Sequence, residues 1–287
     1  MFGAFVRFLP LGLALWLGRR LGDIAFSLLR IRRKVVLKNL SFAFPSAARS
    51  EIKDIAADTY RYSGMSFVEL MRSPKLNERN LREYVEFEGL EHLDKLLAEK
   101  TGAVLVGAHF GNWEIMGAAI CQRGYPMDVL VFKQHNEYFN DMVDSYRNRL
   151  GIGLIQLKFA LRTGLKALKN GRFVAFLADQ DAGKRDGIFV DFFGRDASTN
   201  QGAAVFALKT GVPVIMAFCV RDRSFYRHKV KFIPLDFRKS GNYGEDIKNI
   251  TALYTKVTES FIRRHPEHWF WYHKRWKTAP EGKEKFY

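Results

Sequence analysis

Apolar and polar positions change their period several times along the chain. Residues 35–82 read as helical, with Ile52, Ile55, Ala56, Thr59, Tyr62, Phe67, Leu70 and Met71 at helical spacing and Ser73–Pro74 as a stop. From Tyr84 the pattern shortens: 84–88 alternates like a strand, 90–97 reads as a short helix, and the run 103–108 reads as a buried strand. Asn112 is placed to cap a helix over 113–123. Strands are expected at 128–132, 173–178, 212–220 and 229–233, and helices at 139–149, 160–169, 200–209 and 247–262. This alternation predicts an α/β fold with a mixed, largely parallel central sheet flanked by helices.

The N-terminus carries a different pattern. Residues 2–17 are apolar apart from Arg7, a second apolar stretch covers 24–29, and Arg30, Arg32, Arg33 and Lys34 follow. The uninterrupted stretch, 8–18, is shorter than the ~20 apolar residues that cross a bilayer. An apolar helix with a basic flank suits the membrane interface. The expected organisation is therefore a membrane-associating helix over 1–30, a helical region over 31–82 packed on the core, and an α/β catalytic domain over 83–287.

Among 287 residues, 46 Lys and Arg oppose 30 Asp and Glu, a net charge of +16. Such an excess points to a polyanionic partner: nucleic acid, an anionic membrane surface or a phosphorylated substrate. Scattered basic residues without zinc-finger spacing or an RNP motif argue against nucleic acid. Cys121 and Cys219 lie in apolar segments without metal-ligand spacing, so both are expected to be reduced and buried, with no metal site.

Three groups of residues could carry chemistry. Gly107-Ala108-His109-Phe110-Gly111-Asn112-Trp113-Glu114 follows a buried strand and opens a helix, where sites of α/β sheets gather. A neutral imidazole can deprotonate a hydroxyl near pH 7, and a carboxylate on its other nitrogen fixes the tautomer. His109 and Glu114 are the expected base and supporting acid; a buried structural histidine beside a helix-start carboxylate is the plainer alternative. Asp179 and Asp181 follow the strand at 173–178 and could bind a metal, bind substrate hydroxyls or shape a turn. Lys133, Arg147, Arg149 and Arg185 could bind phosphates or stabilise an oxyanion. The apolar stretch 187–194 could line an acyl channel, rest on lipid or form a plain hairpin. A Gly-x-Ser-x-Gly nucleophile elbow is absent from the sequence, which disfavours a serine hydrolase.

Three blocks together resemble the late acyltransferases of lipid A biosynthesis, the lauroyl and myristoyl transferases, within the wider His-x4-Asp/Glu glycerolipid-type acyltransferases. They are His109-Phe-Gly-Asn-Trp-Glu114; Ala178-Asp-Gln-Asp-Ala-Gly183 continuing to Phe192-Phe-Gly194 and Thr199; and His265-Pro-Glu-His-Trp-Phe-Trp-Tyr-His-Lys-Arg-Trp-Lys277. The resemblance implies acyl transfer from acyl carrier protein, or coenzyme A, to a hydroxyl of a phosphorylated glucosamine lipid at the cytoplasmic face of the inner membrane. It implies His109 as general base, Glu114 as its partner, Asp179 as the first acid of the aspartate block, and Arg147 or the nearby Arg149 as the arginine between blocks. It implies no cofactor. Lys133-Gln134 stands where the family often has Arg-Pro. Related enzymes acting on phosphatidylinositol mannosides share these blocks and give the alternative acceptor; a non-catalytic basic membrane-binding protein is the remaining reading. The acidic carrier protein, the phosphorylated acceptor and the anionic leaflet would together account for the basic charge.

Overall fold

The computed structural model describes residues 2–131, 136–222 and 224–287. Helices α1 (Phe2–Phe8) and α2 (Leu11–Ser27) meet at Pro10, whose missing N–H and fixed φ suit a helix start. Helices α3 (Arg33–Ala43) and α4 (Arg49–Arg72) follow. The helical reading of 35–82 is thus interrupted at 44–48, which contains Pro45, and again by a 3₁₀ turn, Ser73–Lys75. A reciprocal Asn77–Asn80 capping box starts α5 (Glu78–Tyr84).

At 1.5 Å per residue the 17 residues of α2 reach about 25 Å, less than a hydrocarbon core of about 30 Å. Among the described residues no helix is long and apolar enough to cross a membrane. Instead α2 lies against α4. Their backbones approach so closely that a Cβ on Gly64 would stand 2.1 Å from the Gly18 carbonyl oxygen. Phe5, Phe8, Leu13, Trp16, Ile24, Leu28 and Leu29 remain exposed on this N-terminal layer.

The remaining elements alternate. In chain order they are β1 (Val85–Glu88), α6 (Glu91–Ala98), β2 (Ala103–Gly107), α7 (Trp113–Gln122), β3 (Met127–Val131), α8 (Glu137–Arg149) and β4 (Gly153–Gln156). They continue with α9 (Ala160–Lys169), β5 (Phe173–Leu177), α10 (Gly183–Asp186), β6 (Gly187–Phe192), β7 (Arg195–Asn200), α11 (Gly202–Thr210), β8 (Val214–Arg221), β9 (His228–Pro234) and α12 (Tyr243–Arg264). Seven strands form one sheet in the order β1-β9-β8-β2-β5-β3-β4, parallel throughout except for β8 against β9. This is the mixed, largely parallel sheet expected from the alternation. Strand β4 is an addition to that reading. The stretch 187–194 proves to belong to an antiparallel hairpin of β6 and β7.

Strand β2 is buried on both faces, as parallel strands under helices are. Its alternate residues enter opposite cores. Val104 and Val106 pack with α3, α11, α12 and the C-terminal tryptophans, whereas Ala103 and Leu105 pack with residues of α6 and α7. Cys219 is buried as expected, while Cys121 is partly exposed; both are free thiols.

Candidate active site

The sheet aligns the site. Strands β2 and β5 are parallel neighbours in register from Ala103↔Phe173 to Gly107↔Leu177. Two residues further along each strand stand His109 and Asp179. The chain then turns sharply at Gly111, whose φ is +62° and whose Cβ position would lie 1.7 Å from the Cys219 carbonyl oxygen. Only glycine tolerates both the conformation and the approach. Asn112 accepts from the Ile115 N–H at 3.0 Å and starts α7.

The C-terminal block lies along this turn. Phe270 N–H donates to the His109 carbonyl at 2.9 Å, and Gly111 N–H donates to the His268 carbonyl at 2.8 Å. Trp269 carries the third recognised block to the site itself, since its Nε1–H donates to Asp179 Oδ2 at 2.7 Å. That role was invisible in the sequence, where the block carried only family resemblance.

His109 Nδ1 lies 2.8 Å from Asp179 Oδ1. The Asp179 side chain is 2% exposed and that of His109 23%, so the carboxylate is enclosed while the ring remains accessible. Burial would raise the Asp179 pKa, but the adjacent imidazole and the bonds from His109 and Trp269 outweigh it and hold the carboxyl below its ordinary value. With Nδ1–H directed at an ionised carboxylate, Nε2 is the basic nitrogen. Trp113 and Phe270 wall the ring, with centroids 5.1 Å and 6.2 Å from it.

The expected His109–Glu114 contact is replaced. Among the described residues no hydrogen bond joins the two side chains; the acid on the His109 ring is Asp179. Glu114 instead receives a two-pronged ion pair from Arg147, Nη2 to Oε1 at 2.5 Å and Nε to Oε2 at 3.0 Å. The reason is local: the Gly111 turn starts a new helix, and the first turn of α7 directs Glu114 toward α8. Asp144 holds a third Arg147 N–H at 3.2 Å, and Trp113 Nε1–H reaches Glu114 at 3.2 Å. Burial alone would lower the Arg147 pKa; the bond and charge of Glu114 reverse this and raise it.

Glu114, Arg147 and Trp113 share a cavity of about 90 Å³ with Met116, Ile120, Met127, Val129 and Ile152. Its polar end is the ion pair, and its remaining walls are largely apolar.

The other expected binding residues are placed differently. Asp181 accepts from the backbone N–H of Thr278 at 3.1 Å and from its hydroxyl at 2.9 Å, tying down the C-terminal segment. The Asp181 N–H donates to His273 Nε2 at 2.9 Å, and burial lowers the His273 pKa to about 4, so that ring stays neutral. Asp181 thus links the end of β5 to the C-terminal segment. Arg149 donates to the Ser73 carbonyl and does not join the Arg147 pair. Arg185 is almost fully exposed beside Asp186. Lys133 lies outside the described residues.

His265, Glu267 and His268 bring three potential metal-ligand atoms within 4.8 Å of one another. However, His268 Nε2 accepts from the Arg221 N–H at 3.0 Å, so the proton sits on Nδ1, 2.9 Å from Glu267 but poorly aligned for a hydrogen bond. That nitrogen has no free lone pair for a cation.

Comparison with known proteins identifies the family. The family of bacterial lipid A biosynthesis acyltransferases matches residues 1–278, and the chain belongs to it. It is similar to the lipid A biosynthesis palmitoleoyltransferase of Escherichia coli K12, with 29% identity over 97% of this chain and 90% of that one. The lauroyltransferase of the same organism is 28% identical over 96% of this chain and 88% of the relative. A phosphatidylinositol mannoside acyltransferase of Mycobacterium tuberculosis is 27% identical over 81% of this chain and 72% of its own length. The chain is therefore an acyl-transferring enzyme.

Proposed function

We propose that this enzyme transfers a fatty acyl group from an acyl carrier protein or coenzyme A thioester to a hydroxyl of a lipid A precursor, at the cytoplasmic face of the inner membrane, with His109 as general base. The acceptor hydroxyl gives its proton to His109 Nε2 as its oxygen bonds to the thioester carbonyl carbon. Collapse of the tetrahedral intermediate breaks the C–S bond, and the imidazolium returns the proton to the departing thiolate. Asp179 orients the imidazole and stabilises its charged form. Glu114 acts through Arg147, holding the guanidinium at the polar end of the apolar cavity. Three of the five N–H groups of Arg147 are engaged by Glu114 and Asp144, and among the described residues the other two have no hydrogen-bond partner, which suits them to meet a developing oxyanion or a phosphate. The cavity behind them is assigned to the acyl chain.

The observation that carries this reading is the His109–Asp179 bond at 2.8 Å, placed at the ends of adjacent parallel strands. The test is transfer of labelled acyl groups from acyl carrier protein by purified wild type, His109→Ala and Glu114→Ala. Both variants should lose roughly 10²-fold or more in turnover. Equal transfer by wild type and His109→Ala would remove the base assignment. The mycobacterial relative supports a second acceptor, a phosphatidylinositol mannoside, and the same assay with both acceptors separates the two.

A further inference from the structure

The C-terminal end of α4 is linked to four other parts of the molecule. Glu69, with a side chain 7% exposed, accepts from Asn112 Nδ2–H at 2.7 Å. Its carboxylate also pairs with Arg221, Nη1 at 2.8 Å with Nη2 closing the second prong, and lies 3.1 Å from His228 Nε2. Three residues on, Arg72 donates to the Val6 carbonyl and, at 2.7 Å, to the Leu9 carbonyl, at the corner between α1 and α2. The next residue, Ser73, accepts from Arg149 through its carbonyl.

Two of these links lead to the active site. Asn112 caps the helix whose first turn bears Glu114, and Arg149 lies two residues from Arg147 on the helix facing it. The Glu114–Arg147 pair is therefore made between two helices, one tied to Glu69 in the last turn of α4 and the other to Ser73 just after it. The two ties fix where α7 and α8 begin and end relative to one another, and a two-pronged ion pair is sensitive to shifts of that size.

We infer that Glu69 and Arg149 are positioning residues for acyl transfer: together they make the C-terminal turn of α4 the common anchor that sets the Glu114–Arg147 geometry. Through Arg72 the same turn holds the α1–α2 corner, so the N-terminal layer and the catalytic pair share one support. This rests on the reading of Glu114 given above.

The test must separate anchoring from folding. Replacing Glu69 would strand Arg221 and His228 in the core, so the tether is cut from its other end. Asn112→Ser keeps an oxygen able to cap α7 but removes the Nδ2–H donor to Glu69. Arg149→Met unties α8 while keeping an apolar stem. In each variant kcat with acyl carrier protein thioester should fall roughly tenfold or more, with KM changed by less than about twofold and the thermal midpoint close to wild type. In a Glu114→Gln background, adding either change should lower kcat by less than about twofold, because the geometry being held no longer acts. Wild-type kcat in both variants, or an equal loss in both backgrounds, overturns the anchor. If Glu114→Gln alone keeps full turnover, the fault lies in the role given to Glu114, and the anchor falls with it. If Glu114→Gln is impaired while Asn112→Ser and Arg149→Met are not, the fault lies in the anchor alone.

Discussion

His109 and Asp179 stand at the same level just past the ends of neighbouring parallel strands, and the 2.8 Å bond between their side chains follows from that register. The geometry makes Asp179, rather than Glu114, the acid on the imidazole. Asp179→Asn is close in shape but offers no negative charge to an imidazolium, and its amide N–H₂ favours the wrong tautomer. Turnover should fall roughly 10²-fold or more, as when a triad loses its orienting acid. A change of only a few-fold in kcat, with folding intact by circular dichroism, would refute the assignment.

Much of this was legible in the chain and some was not, for definite reasons. Strands β2 and β5 are short apolar runs, and the stripe of α12 from Ile247 to Ile262 keeps one period, so each announces itself. Strand β4 has four residues and a glycine at its start, which leaves no pattern to detect. His109, Asp179, Glu114 and Arg147 were all visible as candidates, but their pairing was not. It depends on β5 lying beside β2 while β3 and β4 lie further out, and strand order is absent from local periodicity. Glu69 was hidden differently: it sits between Val68 and Leu70 in an amphipathic helix, where an acid ordinarily faces water. Its partners lie some 43 to 159 residues away in sequence.

The Glu69 cluster also makes stability depend on pH. Burial alone would lower the His228 pKa, but the Glu69 carboxylate outweighs burial and the neighbouring Arg221 and raises it from 6.5 to about 9. A raised histidine pKa stabilises the fold fully below the unfolded value of 6.5 and loses that contribution as pH rises through about 9. The contribution at stake is on the order of 3 kcal/mol. Urea midpoints should therefore fall between about pH 6 and about pH 10 more steeply in wild type than in His228→Gln. Identical slopes in the two proteins would show that His228 is not held charged by Glu69.

Membrane attachment is predicted to come from the exposed apolar side chains of the N-terminal layer and the basic cluster after it. Phe8 is 88% exposed, Leu28 76% and Trp16 56%, and none is needed to fill the core. Inserting such side chains into lipid contributes roughly 1.5–3 kcal/mol each. Converting these three to Asp should reduce sedimentation with phosphatidylglycerol vesicles by roughly 10²-fold or more in apparent affinity. Neutralising Arg30, Arg32, Arg33 and Lys34 should instead reduce the salt dependence of binding. Unchanged sedimentation of the triple Asp variant would place the membrane contact elsewhere.

Chain-length selection should be set by the cavity that begins at Glu114 and Arg147. Val129 lines it from β3, opposite Ala175 of β5 in the register and beside Met127. Val129→Phe places an aromatic ring in the space assigned to the distal carbons of the acyl group. The head of the chain and the His109–Asp179 pair are untouched, so a short acyl thioester should still react. The ratio of kcat/KM for a short over a long acyl chain should rise by roughly tenfold or more, since single methylenes in an apolar pocket are already worth about 1–3 kcal/mol. Overpacking also costs stability, so the thermal midpoint is followed in parallel. If all chain lengths lose activity in equal proportion while the midpoint is preserved, the cavity does not hold the acyl chain, and the polar end at Glu114 and Arg147 serves the acceptor instead.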